Sequence, residues 1–401
     1  MEPGTVLRAD RVITPDRELS PGWVVVEDGG ISDLGEGDGP DAGESIDLKG
    51  LTLVPGFVDL HVHGGGGFSF DTGRADDVRG FRRWVPSTGV TSFLGTVIGL
   101  SIEDGRLSVE ALASAEESEG GAELIGINLE GPFLSLERPG AIPPSWITPP
   151  DVGVFEALHD ASDGSLRLMT VAPEVQGANE VIVAAQARGV TISVGHSAAS
   201  YDVALRTFGG GARHVTHAFN GMSPFHHRDP GIVGAALDSA GVTIEVIADG
   251  VHLHPATVSM LVQAFGTERV ALITDAVPMA GRREGSLRLG DQVATLKDGR
   301  VTLPDGTIAG SASTMDSVVR NVGRWGVCDL AGVVRMASTV PAAAVAAGNR
   351  KGRIEQGYDA DLVALDSDLR VVATWVGGEL AFEVKKRYKK PLTRARGRRF
   401  L

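Results

Sequence analysis

Residues 54–63 read VPGFVDLHVH, an apolar run that closes on two histidines, His61 and His63. Seven further runs of the same kind follow: TSFLGTVI (91–98), LIGINLEGPF (124–133), LRLMTVAPE (166–174), VTISVGHS (190–197), ARHVTHAF (212–219), VTIEVIADG (242–250) and VALITDAV (270–277). Short apolar runs flanked by turn residues predict buried strands. Between them, ADDVRGFRRWVPS (75–87), SVEALASAEES (108–118), ANEVIVAAQAR (178–188) and YDVALRTFG (201–209) carry helical apolar spacing. Strands alternating with helices make an α/β fold, and eight in one segment predict a closed (β/α)8 TIM-like barrel rather than an open sheet.

The polar residues of these runs fall at their C-terminal ends: His61 and His63, Glu130, His196, His217, Asp249 with His252, and Asp275. In barrels of this kind that face carries the active site, so these side chains are predicted to converge. His61 and His63 lie two apart on a strand and therefore point to one side, where both rings can grip one ion. Glu130, His196 and His217 complete a nitrogen and oxygen donor set of the type zinc and its first-row neighbours prefer. Taken singly, each of these residues also reads as a strand-end polar group satisfied by backbone; the set of five argues for metal. A carboxylate beside a divalent cation can take a proton from water and return it to a leaving group, the role open to Asp275; its alternative is to cap the segment that follows.

Outward from the barrel, residues 4 to about 53 alternate apolar and polar positions between Gly and Asp turns (TVLRADRVI, WVVVEDG, ISDLG, SIDLKG, LTLV), predicting short antiparallel strands. ADLVALD (360–366) and VVATWVGGEL (371–380) are similar. The two ends are thus expected to combine, residues 1–53 with 356–384, into a small β-sandwich domain beside a catalytic barrel of residues 54–355. Residues 285–308 read as an inserted β-hairpin and 315–349 as helices. HGGGG (63–67) is not followed by GK[ST], which argues against a P-loop.

The 401 residues are 42% hydrophobic and 22% charged, which excludes wholesale disorder, collagen and coiled coil. The formal charge of −14 hides an asymmetry. Lys385–Arg399, within a basic tail of residues 385–401, holds nine basic and no acidic residues, leaving 28 basic against 51 acidic side chains elsewhere. An acidic body argues against nonspecific nucleic-acid binding, and the tail reads as a solvated extension. A single cysteine, Cys328, allows neither an internal disulfide nor a thiolate metal site. With no apolar leader and no uncharged apolar run of membrane-spanning length, a cytoplasmic protein is expected.

The ordered series PGFVDLHVHGGGG, LEGPF, APE, VGHS, THAFNGM with HHRDPG, IADGVH, TDA, GTIAGSASTM and NRKGRIEQGYDADLVALD resembles the N-acetylglucosamine-6-phosphate deacetylases of the amidohydrolase superfamily. The resemblance implies hydrolysis of the acetamide of N-acetylglucosamine-6-phosphate to glucosamine-6-phosphate and acetate, in a cytoplasmic homodimer. It assigns the principal divalent metal, most simply zinc, to Glu130, His196 and His217, with His61 and His63 able to hold a second ion. Asp275 would be the general base and acid. Ala141, Asn220, Gly221, His252 and the Ala309, Gly310 and Ser311 loop would form the substrate pocket, and Arg228 would contact the phosphate from the adjacent subunit of a dimer. Relatives that bridge two metals with a carboxylated lysine are a poor match. Lys49, Lys297 and Lys351 are the only lysines before the tail, and none ends a barrel strand. One departure is evident: the family's substrate-facing histidine, in Gly-Ala-His-Asn-Pro, is Ile142 in Gly140-Ala141-Ile142-Pro143-Pro144. An aliphatic side chain donates no hydrogen bond, so the change leaves a deacetylase of a different N-acyl amino sugar, or a non-catalytic sugar-phosphate sensor, as alternatives.

Overall fold

A computed structural model describes residues 4–41, 44–98, 101–115 and 121–384. The basic tail 385–401 and the end of the SVEALASAEES run lie outside the described residues.

All eight predicted barrel runs are strands: β1 (Phe57–Val62), β2 (Val90–Ile98), β3 (Glu123–Glu130), β4 (Leu166–Val171), β5 (Thr191–Val194), β6 (His214–Val215), β7 (Thr243–Ile247) and β8 (Val270–Ile273). They pair in parallel, each with its neighbour in chain order, and so form one eight-stranded sheet. The sheet closes where β8 meets β1. There the Asp275 N–H donates to the His61 carbonyl at 2.9 Å and the His63 N–H to the Ala276 carbonyl at 2.8 Å. The buried Asp59 carboxylate reinforces this seam by accepting from the Thr274 hydroxyl at 2.6 Å and the Thr274 N–H at 3.3 Å. Closure therefore rests on bonds at the end of the barrel where the polar residues lie.

The barrel interior is layered. At the bottom Val58, Leu60, Leu94, Leu168, Ile247 and Ile273 pack with Ala342 and Val345. Above them is a hydrogen-bonded polar layer: Thr216 Oγ1 lies 2.8 Å from Thr170 Oγ1 and 2.6 Å from Ser193 Oγ, and Asn128 donates to the Leu60 carbonyl at 3.1 Å. Buried polar atoms that pair with one another cost little and lock rotamers. The histidines and carboxylates stand on this platform.

Helices cover the outside, four of them where the sequence predicts: α1 (Ala75–Trp84), α2 (Ile102–Ala113), and the segments Ala178–Ala187 and Tyr201–Gly209. Their starts follow capping chemistry. Ser101 Oγ accepts from the Asp104 N–H at the start of α2, and Ser200 Oγ from the Val203 N–H.

The two chain ends meet in one eight-stranded sheet with its own core, including Leu7, Val24, Leu53, Leu362 and Trp375. The sequence predicts antiparallel strands there, but Thr5–Ile13 and Glu44–Pro55 pair in parallel. The hairpin Gly22–Glu36 occupies one edge of Thr5–Ile13, so the chain returns along the other edge in the same direction. The inserted hairpin expected at 285–308 is larger than predicted. Gly285–Leu289, Gln292–Lys297, Arg300–Thr302 and Ile308–Ser311 form a four-stranded antiparallel sheet. Its apolar face packs on Ile98, Leu134 and Ile142.

Candidate active site

Glu130 ends β3, and His196 and His217 lie just past β5 and β6. Glu130 Oε1 is 2.9 Å from Nε2 of both His196 and His217, and the two nitrogens are 3.1 Å apart. From β1, His61 Nε2 lies 3.6 Å from both Glu130 Oε1 and Asp275 Oδ1. His63 Nε2 is 3.2 Å from Asp275 Oδ1 and 3.4 Å from Glu130 Oε2. The structure thus brings all six predicted residues into one buried cluster. The backbone bends to do so: φ is 44° at His196, 27° at His217 and 50° at Asp275. Left-handed conformations at non-glycine residues cost on the order of 1–3 kcal/mol each and gather at functional sites.

Two of the histidines, His196 and His61, are oriented from behind through Nδ1. His196 Nδ1 donates to the Arg138 carbonyl at 3.0 Å, and its ring is bracketed by Gly140 and Gly221, where an added Cβ would come 3.0 Å and 2.9 Å from it. His61 Nδ1 donates to Glu245 Oε2 at 3.0 Å. Glu245, buried on β7, also accepts from the His217 N–H at 3.0 Å and from His214 Nε2 at 3.1 Å. Burial opposes its ionisation, but His61 and His214 outweigh that and hold its carboxyl well below the usual range. Donation from Nδ1 leaves the Nε2 lone pair aimed into the site, the arrangement that metal-binding histidines use.

Among the described residues His61 Nε2 has no hydrogen-bond partner. Imidazole lone pairs gathered on a buried carboxylate need a proton or a cation between them. Tetrahedral zinc, with bonds of about 2.1 Å, separates its ligands by about 3.4 Å; the distances here run from 2.9 to 3.6 Å. Two overlapping groups meet the spacing for an ion: His61, Glu130 and His217, and His61, His63 and Asp275. The residues fit one or two divalent cations.

Burial also works against ionisation of Asp275, yet the hydrogen bond from His63 and the charges of His61 and His63 prevail, keeping its carboxyl below the ordinary value. His252 stands opposite, with Nδ1 donating to Asp249 Oδ2 at 2.8 Å and Nε2 4.0 Å from Asp275 Oδ2. These groups open into a cavity of about 410 Å3 also lined by Ala141, Ile142, Asn220, Gly221, Ala309 and Gly310. Ser311 does not line it; its backbone instead ties the inserted sheet to the site, its N–H donating to the Asp275 carbonyl at 2.8 Å and its carbonyl accepting from the Val277 N–H at 3.0 Å. Arg228 lies outside the cavity of its own chain, exposed beside His227 at 2.7 Å. Lys351 sits at the far end of the barrel, its Nζ within 2.7 Å of both Glu123 and Asp361.

Two acidic residues escaped the sequence reading. Glu245 carried a signal, a lone acid inside an otherwise apolar buried strand, which must find partners. Asp71, at the cavity wall, carried none. Burial pushes its carboxyl up to about 6, against the pull of His63, and among the described residues its Oδ1 has no hydrogen-bond partner.

Residues 52–390 match the amidohydrolase family. The N-acetylglucosamine-6-phosphate deacetylase of Bacillus subtilis (strain 168) is 35% identical over 389 residues, covering 94% of this chain and 96% of that one. The N-acetylgalactosamine-6-phosphate deacetylase of Escherichia coli O157:H7 is 32% identical over 377 residues, covering 94% and 99%. Among solved structures, a mutant N-acetyl-D-glucosamine-6-phosphate deacetylase from Mycobacterium smegmatis, in complex with N-acetyl-D-glucosamine-6-phosphate, matches with a TM-score of 0.89 at 34% identity, covering 94% of this chain and 99% of that one. Among the described residues no helix is long and apolar enough to cross a membrane.

Proposed function

This chain belongs to the amidohydrolase family, alongside its amino-sugar phosphate deacetylases, and from that premise we propose that it hydrolyses N-acetylglucosamine-6-phosphate to glucosamine-6-phosphate and acetate. The observation that carries the reading is the convergence of Asp275 on the Glu130 and histidine cluster at 3.2–3.6 Å, inside a substrate-sized cavity.

Glu130, His196 and His217 would hold the principal divalent cation, zinc in this reading, and His61 and His63 a second. Such a cation polarises the amide carbonyl and acidifies water. Asp275, ionised, accepts the proton of the attacking water as the new C–O bond forms. It then delivers that proton to the nitrogen as the C–N bond breaks, so the amine departs neutral. His252, held by Asp249, presents Nε2 to the bound sugar. Asn220, Gly221, Ala141, Ala309 and Gly310 shape the sugar site, Ser311 ties their strand to Asp275 through its backbone, and Arg228 serves the phosphate of a neighbouring copy in a homodimer. The absence of a membrane-spanning helix among the described residues and the single cysteine are compatible with work in the cytoplasm.

Acetate release by metal-loaded protein tests the proposal. Asp275→Asn is expected to lower kcat about 10²- to 10⁴-fold with metal content retained; no release by the unaltered protein, or full activity in the variant, refutes it. Ile142 and the 32% identity to a galactosamine-type deacetylase favour one second reading, the epimeric sugar. Parallel assays of the two epimers decide between them.

A further inference from the structure

The substrate of a deacetylase has two ends, divided at the scissile amide, and the cavity has two kinds of wall. Asn220 and Gly221 follow β6, and His252 follows β7. Ile98 ends β2, and Ile142 lies in the segment after β3. In a ring of eight neighbouring strands, β2 and β3 stand across from β6 and β7. The polar and the aliphatic lining groups are thus carried on separate segments of the cavity rim.

The inserted sheet extends the aliphatic side. On the strand Gly285–Leu289, alternate residues share a face. Leu287 and Leu289 line the cavity, while Arg288 between them is exposed. Ile308 and Val277 join them. Leu289 and Ile142 are buried in the core of the insert, but Leu287 and Ile308 are only half-buried, leaving apolar surface open toward the reacting centre.

We infer that the wall built by Ile98, Ile142, Val277, Leu287, Leu289 and Ile308 receives the acyl half of the substrate, and that the enzyme favours N-acyl amino-sugar phosphates whose acyl chain is longer than acetyl. The inference rests on the deacylase reading above, with the sugar phosphate on the polar side. Sealing a methylene against such a wall raises kcat/KM about three- to fourfold.

The test is a homologous series of N-acetyl-, N-propionyl-, N-butyryl- and N-hexanoylglucosamine-6-phosphate, followed by release of the common product glucosamine-6-phosphate. The inference expects kcat/KM to rise at least threefold per carbon from acetyl through butyryl. It expects the butyryl-to-acetyl ratio to fall at least threefold in Leu287→Ser, a half-buried position, and in Ile142→His. Turnover of the acetyl substrate with a flat or falling series, or a ratio unmoved in both variants, overturns the inference and leaves the deacylase reading standing. No turnover of any member overturns both.

Discussion

Replacing Glu245 by Gln preserves shape and removes one charge at the base of the site. The carboxylate accepts three hydrogen bonds, two of them from residues of the proposed metal site: His61 Nδ1 and the His217 N–H, both at 3.0 Å. A hydrogen bond to a charged group contributes about 1.5–3 kcal/mol against about 0.5–1.5 for a neutral one, so each bond weakens by about 1 kcal/mol. The Gln oxygen is best placed facing those two donors, with its NH2 turned to His214. That ring can accept it by moving its proton to Nδ1, which has no hydrogen-bond partner among the described residues. The fold survives and the two cluster residues lose about 2 kcal/mol of support, equivalent to about 30-fold in metal Kd. This lies within the range for groups behind metal ligands, about 10- to 100-fold. Competition against a calibrated chelator measures the affinity, with circular dichroism melting as the check on folding. A folded variant whose affinity stays within threefold of the unaltered protein would refute the reasoning that Glu245 fixes the tautomer and aim of His61.

Two other outcomes are expected. In Gly221→Ala the new Cβ meets the His196 ring at 2.9 Å, from a residue at φ +57°; strain of about 1–2 kcal/mol should lower Tm, and displacement of His196 should cut kcat about tenfold to a hundredfold, an idea that wild-type rates would sink. Burial raises the Asp59 carboxyl from its ordinary value of 3.8 to about 7, against the hydrogen bonds from Thr274. A raised folded pKa gives stability present below about pH 4 and lost as pH climbs through 7, up to about 4 kcal/mol. Urea unfolding at several pH values should show that slope in the unaltered protein and not in Asp59→Asn; parallel curves contradict it.

How much of this was legible in the chain depended on how local the signal was. The barrel strands announce themselves because a strand buried on both faces must be apolar throughout, so the polar residue that ends each run stands out. Reading those ends located the six residues that converge. What lay between elements was harder. Nothing in TVLRADRVI states which neighbour it pairs with or in which direction, and so the parallel partner was missed. The hairpin at 285–308 read correctly as β, but its four-stranded extent depended on a return to the Asp275 backbone that only the closed barrel supplies. Ile142 was visible as a substitution; that it packs under the inserted sheet was not.

The inserted sheet is one continuous stretch of chain, pinned at its far end by the Ser311 backbone bonds to Asp275 and Val277. None of the six clustered histidines and carboxylates lies within it. Chemistry and much of the cavity wall are therefore encoded by different stretches of the gene. Exchanging residues 285–308 alone between relatives becomes a way to graft a new substrate range onto an unchanged reaction centre, and drift in that segment a route by which lineages could diverge in diet without losing a working catalyst.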